Sequence, residues 1–311
     1  MILNMHKKIA TVVITTGLFL LPALGRTAET CPTMKAGKYK GQCIDTSAKR
    51  AVHILEQTAD SITIENFRKA GVFYKAVIPL NQVEKLSYVV VDLNAKPVNY
   101  LSLFNISHTE MRFKMKPGSV IELYPLGAND SGAAVATETD VIVSMNYMAP
   151  AGVPYDPVKG FNEDLYASVL QIFSTQDEAK KRFEDNKFNV YEIELSAASE
   201  QTSAILRRAL MMSNQIQYDV AYDTWTSNCT TFLFDIFDAG LNLKNQKPYR
   251  FHLLIANDTG LKPGMKALGQ RGLVSADTQI KLMNAEYGYK IFPSNSNRYF
   301  NALIGKTLKD L

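Results

Sequence analysis

The chain has 311 residues, 46% hydrophobic and 21% charged, with 34 Lys and Arg against 30 Asp and Glu for a net charge of +4. Lys7, Lys8 and Arg26 supply three of those four charges, all ahead of the first acidic residue, Glu29. The remainder is close to neutral and has no sustained basic block with interleaved aromatics, so nothing points to nucleic acid.

Residues 1–27 read as a secretory signal peptide. Lys7 and Lys8 form a basic start, residues 9–24 an apolar run, and Pro22 and Gly25 close it near small residues. A retained anchor is the alternative reading of the same run. No later segment has the eighteen or more apolar residues of a spanning helix, so the chain beyond residue 27 is expected outside the inner membrane, in a periplasm.

Residues 28–47, with Pro32, Gly37 and Gly41, read as an irregular entry, and residues 48–57 fit a short helix. In an oxidising compartment Cys31 and Cys43 can close a short loop, which leaves Cys229 as the spare thiol of three cysteines; a pairing that uses Cys229 is the alternative. The polar residues before Cys31 do not make it a lipid-attachment cysteine.

Strand-like alternation follows over residues 71–78, 85–93, 101–113, 119–124 and 141–147. Pro117 and Gly118 mark a turn, and the runs that flank it are expected to pair as a hairpin. Residues 149–160, rich in Pro and Gly, form a loop long enough to shape a cleft. Residues 162–174 and 175–185 carry helical patterns, residues 190–195 a strand, and Ser196 can cap a helix reaching about Met212. The last stretch, residues 243–311, reads as short elements wrapping the core.

The segment TWTSNCTTFLFDIFDAGL places Phe232, Leu233, Ile236 and Phe237 at helical spacing, with Gly240 as a C-cap. Thr226, Ser227 or Asn228 can cap its start, which puts Cys229 in the first turn, where free N–H groups and the helix dipole favour a thiolate and can stabilise an oxyanion. Asn228, Thr230 and Tyr222 are the supporting candidates. The competing role for Cys229 is a small apolar residue on the buried stripe.

A thiol nucleophile needs a base. Of the histidines beyond the signal segment, His53 carries no motif, His252 is the competitor base but its apolar neighbours suit a packed structural role, and His108 shares a strand face with Glu110 and Arg112. In the expected hairpin Glu122 lies diagonal to His108, within reach of a long side chain, and is the preferred orienter. Glu110 is second choice, because positions i and i+2 of one strand diverge. One Cys and one strand His, without paired ligand motifs, suggest no metal and no other cofactor.

Several features in order resemble the Lnb N-terminal periplasmic domain family, linked to bacterial lipoprotein N-acylation. These are Ser107-His108 leading into a strand, Lys159-Gly160-Phe161, residues 189–195 followed by Ser196 and Glu200, then Tyr218 and Tyr222 before Asn228-Cys229-Thr230-Thr231. Ser107 stands where the family motif has glycine, and no compact Arg-Asp pair occurs near Lys180 and Arg182. The resemblance, over residues 70–280, implies an α+β fold: a circularly permuted papain-like (NlpC/P60-like) antiparallel sheet with packed helices. It divides the chain into a signal peptide (1–27), an N-terminal extension (28–69), the catalytic domain (70–280) and a C-terminal extension (281–311).

It also implies a phospholipid or acylated lipoprotein or peptide as substrate, peripheral membrane contact, and acyl transfer through Cys229 and His108. Trp225, Tyr222, Phe104 and the 149–160 loop are candidate cleft walls. The same thiol and base would serve a lipid hydrolase or an amidase, and a non-enzymatic envelope binding protein would need neither.

Overall fold

The structure is a computed structural model. It describes residues 31–35, 37–93, 107–128, 132–153, 165–223, 227–244, 246, 248–249, 261–293 and 304–307. Among these residues the fold is mixed α+β, built on a mostly antiparallel sheet.

The strands are β1 (His53–Gln57), β2 (Ser61–Lys69), β3 (Val72–Pro79), β4 (Val83–Asp92), β5 (Ser107–Met115), β6 (Ile121–Pro125), β7 (Ala136–Glu138), β8 (Asp140–Met148), β9 (Ala167–Ser174), β10 (Asn189–Glu194) and β11 (Ile280–Leu282). They run in the order β11-β10-β4-β5-β8-β9-β2-β3-β6-β7, with β1 pairing β2. The helices are α1 (Thr175–Ala179), continued by a wider turn over Lys180–Asp185, α2 (Ser199–Ile216), α3 (Cys229–Gly240) and α4 (Leu261–Gln270).

The expected strands at 71–78, 85–93, 141–147 and 190–195 correspond to β3, β4, β8 and β10. Residues 101–106 lie outside the described residues, and β5 begins at Ser107.

Alternation along the central strands sets two faces. On β4, Leu86, Tyr88 and Val90 join the main core with Leu206, Leu210, Leu233 and Phe237 of α2 and α3. Val89 and Val91 face the other way, against Ala179, Phe183 and Met283. The sheet is therefore covered on both sides, and β9, buried at every position, shows no polar face.

That is why residues 167–174 are a strand and not the helix expected over 162–174. A strand buried on both faces is a continuous apolar run, which periodicity alone does not separate from a buried helix. Residues 53–57 are likewise strand β1 where a helix was expected over 48–57. Here side chains of α2 and of the chain just after it hold the backbone extended: the N–H groups of Ala51, Val52 and Ile54 donate to Tyr218 Oη, Ser213 Oγ and Asn214 Oδ1 at 3.1, 2.8 and 3.0 Å.

The turn at Pro117-Gly118 forms, with the Ser119 N–H donating to the Lys116 carbonyl at 2.9 Å and Gly118 at φ +83°. Its flanking strands do not pair with each other. Phe113 of β5 stands opposite Leu86 and Val141, and β6 pairs with β3 and β7. A strand has two edges, and both edges of β5 are taken by β4 and β8.

Helix α2 starts after Ala198, whose N–H donates to Gln201 Oε1 at 2.9 Å, so Ser196 is not its cap. Gly240 is not the C-cap of α3 either: it is the last helical residue, and a Cβ there would meet the Ile205 backbone at 2.8 Å. Its smallness lets α3 approach α2.

The Cys31–Cys43 disulfide is present and Cys229 is the free thiol. The residue-70 boundary falls between β2 and β3, which are paired neighbours in the one sheet.

Candidate functional site

Helix α3 presents Cys229 as expected. Asn228 caps it, its Oδ1 accepting from the N–H groups of Thr230 and Thr231 at 2.9 and 3.0 Å, while Thr231 Oγ1 accepts the Asn228 N–H at 2.9 Å. The cap consumes the Thr230 amide, so Thr230 is not an oxyanion donor. The Cys229 N–H is the first-turn donor outside the cap.

Thr230 instead uses its hydroxyl, 3.0 Å from that of Thr109. This contact lays the start of α3 over the start of β5. Thr109, Met111 and Phe113 lie on the helix side of β5, and His108, Glu110 and Arg112 on the opposite side. Thiol and imidazole therefore approach from different sides of the sheet and face each other at the N-terminal end of β5, close enough for each to shift the other's titration.

The pair is nearly closed off: Cys229 is 7% exposed and the His108 side chain 12%. Burial pushes the thiol up, but the facing imidazolium and the hydrogen bonds from His108 and Thr109 outweigh it and bring Cys229 down to about 6. Burial pulls His108 down, and the Cys229 thiolate and Glu110 carboxylate outweigh that, raising it to about 8. The opposite directions of these two shifts favour a thiolate facing an imidazolium.

Behind His108 lies a buried polar network. His108 Nε2 is 2.8 Å from Ser144 Oγ and 3.2 Å from Glu110 Oε1. Ser144 Oγ donates to Glu110 Oε1 at 3.1 Å and accepts from Asn146 Nδ2 at 3.0 Å. Arg182 Nη2 donates to the same Glu110 oxygen at 2.6 Å, and Arg182 Nε is bonded to Glu178 Oε1. Burial would raise the Glu110 carboxyl, yet Arg182 and His108 hold it well below the usual carboxylate range. Glu178, sharing the same guanidinium, is raised by its burial.

Glu110, the second choice as orienter, is thus the carboxylate beside His108. Ser144 fills the gap between positions i and i+2 and draws the two side chains onto one point. Glu122 lies elsewhere: on β6, it accepts from Tyr124 Oη at 2.6 Å and is exposed. His108 is at the start of β5, about 20 Å along the strand from the turn that leads to β6.

Tyr222 donates its N–H to the Tyr166 carbonyl at 2.8 Å and sets its ring edge-on to Tyr147, 6.3 Å between centroids. On the Tyr147 ring sits Lys49, Nζ 4.0 Å from the centroid and donating to the Tyr147 carbonyl at 2.7 Å; burial, then Lys181 and Arg182, lowers Lys49 to about 7. His53 is exposed against Glu65. Phe104, Trp225, His252 and residues 154–160 of the expected cleft lie outside the described residues.

Ser144, Arg182 and Glu178 were not singled out as site residues. Polar residues at Ser144 and Asn146, spaced by two inside the apolar run of β8, are the signal that marks Ser144. Among the described residues no group of three or more His, Cys, Asp or Glu is placed to hold a metal ion, and no helix is long and apolar enough to cross a membrane.

Residues 74–257 match the Lnb N-terminal periplasmic domain family. The chain belongs to that family. Its match includes His108, Glu110, Ser144, Arg182 and Cys229, and the protein is accordingly exported and periplasmic. Membership supports, at the level of the family, a role in lipoprotein-related processing. No curated protein and no solved structure gives a significant match.

Proposed function

We propose that the protein is a cysteine-dependent acyltransferase of the cell envelope, with Cys229 as nucleophile, His108 as base and Glu110, through Ser144, as orienter. Cys229 at the capped start of α3, facing His108 and lowered to about 6, carries this reading. The chain order, His108 before Cys229, is the reverse of papain's and fits a circularly permuted papain-like arrangement.

With Nε2 engaged by Ser144 and Glu110, Nδ1 is the ring nitrogen left to serve the thiol. The Cys229 thiolate attacks the carbonyl carbon of an acyl ester, and the Cys229 N–H faces the oxyanion that forms. Collapse breaks the ester C–O bond, the imidazolium gives its proton to the leaving alcohol, and the acyl group remains as a thioester. A lipoprotein α-amine then attacks the thioester; the C–N bond forms, the C–S bond breaks, and His108 takes the amine proton, restoring the ion pair. A membrane phospholipid is the proposed donor and a lipoprotein the acceptor, both reached by peripheral contact with the membrane.

Intact-protein mass spectrometry after incubation with phospholipid vesicles tests this. An acyl-sized adduct is expected on the native protein, absent in Cys229→Ser and discharged by an amine-bearing lipopeptide. Discharge by water alone would make it a lipid hydrolase; no adduct together with cleavage of a cell-wall peptide would make it an amidase. Full function of Cys229→Ser in cells would leave only a binding role.

A further inference from the structure

We infer that Arg182 is a positioning residue for the Cys229–His108 pair, acting through Glu110, and that Glu178 holds Arg182 in place. This rests on the reading of His108 as the base.

Glu110 and Glu178 are both fully buried, and Arg182 is 5% exposed between them. Alone in such surroundings a carboxyl group keeps its proton. A protonated Glu110 would lose the charge that supports an imidazolium. The guanidinium prevents this: its Nη2 lies 2.6 Å from Glu110 Oε1.

The contacts also fix direction. Arg182, Ser144 and His108 converge on one oxygen, Oε1, while Oε2 has no hydrogen-bond partner among the described residues. A carboxylate free to turn would offer either oxygen; the guanidinium holds Oε1 toward His108. Glu178, one helical turn before Arg182, takes its Nε and leaves Nη2 aimed at Glu110.

Two bonds in different directions need the planar fork of arginine, which lysine does not have. Lys181 adds further positive charge around Glu110 and Glu178, so bulk charge is present without Arg182. Geometry is what Arg182 contributes.

The test is the pH dependence of Cys229 alkylation by iodoacetamide in the full chain, read by mass spectrometry. It covers native protein, Arg182→Lys, Arg182→Gln, Glu178→Gln and Glu110→Gln, with near-ultraviolet circular dichroism to score folding. The native thiolate limb is expected near pH 6. In folded Arg182→Lys and Glu178→Gln it should move up by about one unit, a roughly fivefold slower reaction at pH 6. Arg182→Gln combined with Glu110→Gln should match Glu110→Gln alone.

A native limb at the ordinary thiol value would defeat the base reading itself. A native limb near 6 that Arg182→Lys and Glu178→Gln leave in place would overturn only the role of Arg182. Should Arg182→Gln fail to fold, the lysine and Glu178 variants decide the matter. A purely structural arginine would lower stability without moving the limb.

Discussion

The hydroxyls of Thr109 and Thr230 meet at 3.0 Å, and each residue is the chain neighbour of a member of the candidate pair, His108 and Cys229. One buried contact between a strand and a helix start thus sets the distance between thiol and imidazole. Thr109 also contributes hydrogen bonds that lower the Cys229 thiol.

Thr230→Val keeps the shape but removes the Thr230 partner of the buried Thr109 hydroxyl, at a cost of about 1 kcal/mol. With Thr109→Val as well, both partners are apolar and the coupling recovered in a double-mutant cycle should be about 1 kcal/mol. Denaturant melts of the four proteins measure it. Thr109→Val alone should in addition raise the alkylation midpoint of Cys229, whereas Thr230→Val should move it less.

The pH dependence of activity follows from the two shifted groups. Cys229, lowered to about 6, is protonated and inactive below that value; His108, raised to about 8, loses the proton needed by the leaving group above it. Acyl transfer should therefore be bell-shaped with limbs near pH 6 and 8. Alkylation needs only the thiolate and should rise near pH 6 without falling at 8. In His108→Gln the imidazolium is gone and burial remains, so the alkylation limb should move up past the ordinary thiol value of about 8.5. A limb left near 6 in that variant would remove His108 from the site.

The placement of Cys229 at a helix start and of His108 on a strand was legible because the signals are local. Asn228 before an apolar helical stripe fixes the cap of α3, and period 2 puts His108 and Glu110 on one face of β5. The orienter depends on which strands pair. A Pro-Gly turn between two strand-like runs argues for a hairpin, but both edges of β5 are taken by β4 and β8, the latter beginning only at Asp140. Arg182 was hidden for the same reason: it sits in a wide turn after α1, and only the folded sheet brings it under Glu110. The β9 strand was missed because burial on both faces erases the alternation that identifies strands.

The two glutamates give a direct comparison. Glu110→Gln removes the charge beside His108 while preserving shape and should cut turnover by at least about tenfold, a modest share of what general acid–base catalysis contributes. Glu122→Gln changes an exposed carboxylate that meets Tyr124 on a distant strand and should leave turnover unchanged. Steady-state rates with a common acyl donor measure both. Equal losses in the two variants would mean that the network behind His108 does not act on the reaction.

The Cys31–Cys43 disulfide closes a loop in the N-terminal segment, which packs beside the end of β8. Cys43 accepts the Ala151 N–H at 2.8 Å through its carbonyl, Ile44 bridges to Pro150, and Met34 and Ile44 pack with Met148, Ala167 and Val169. A short disulfide loop restricts the unfolded chain by about 2–3 kcal/mol. Cys31→Ser with Cys43→Ser should lower unfolding stability by about that amount, and a reducing agent should do the same to the native protein and nothing further to the double variant. Because Lys49 donates to the Tyr147 carbonyl from the same entry segment, loosening it should also loosen the Tyr147–Tyr222 contact that leads toward α3. The double variant should therefore show faster alkylation of Cys229 at a fixed pH of 7 as the buried thiol becomes more accessible, with its midpoint still near 6. A changed midpoint would mean that the staple reaches the Cys229–His108 pair itself, and an unchanged rate that the entry segment does not guard it.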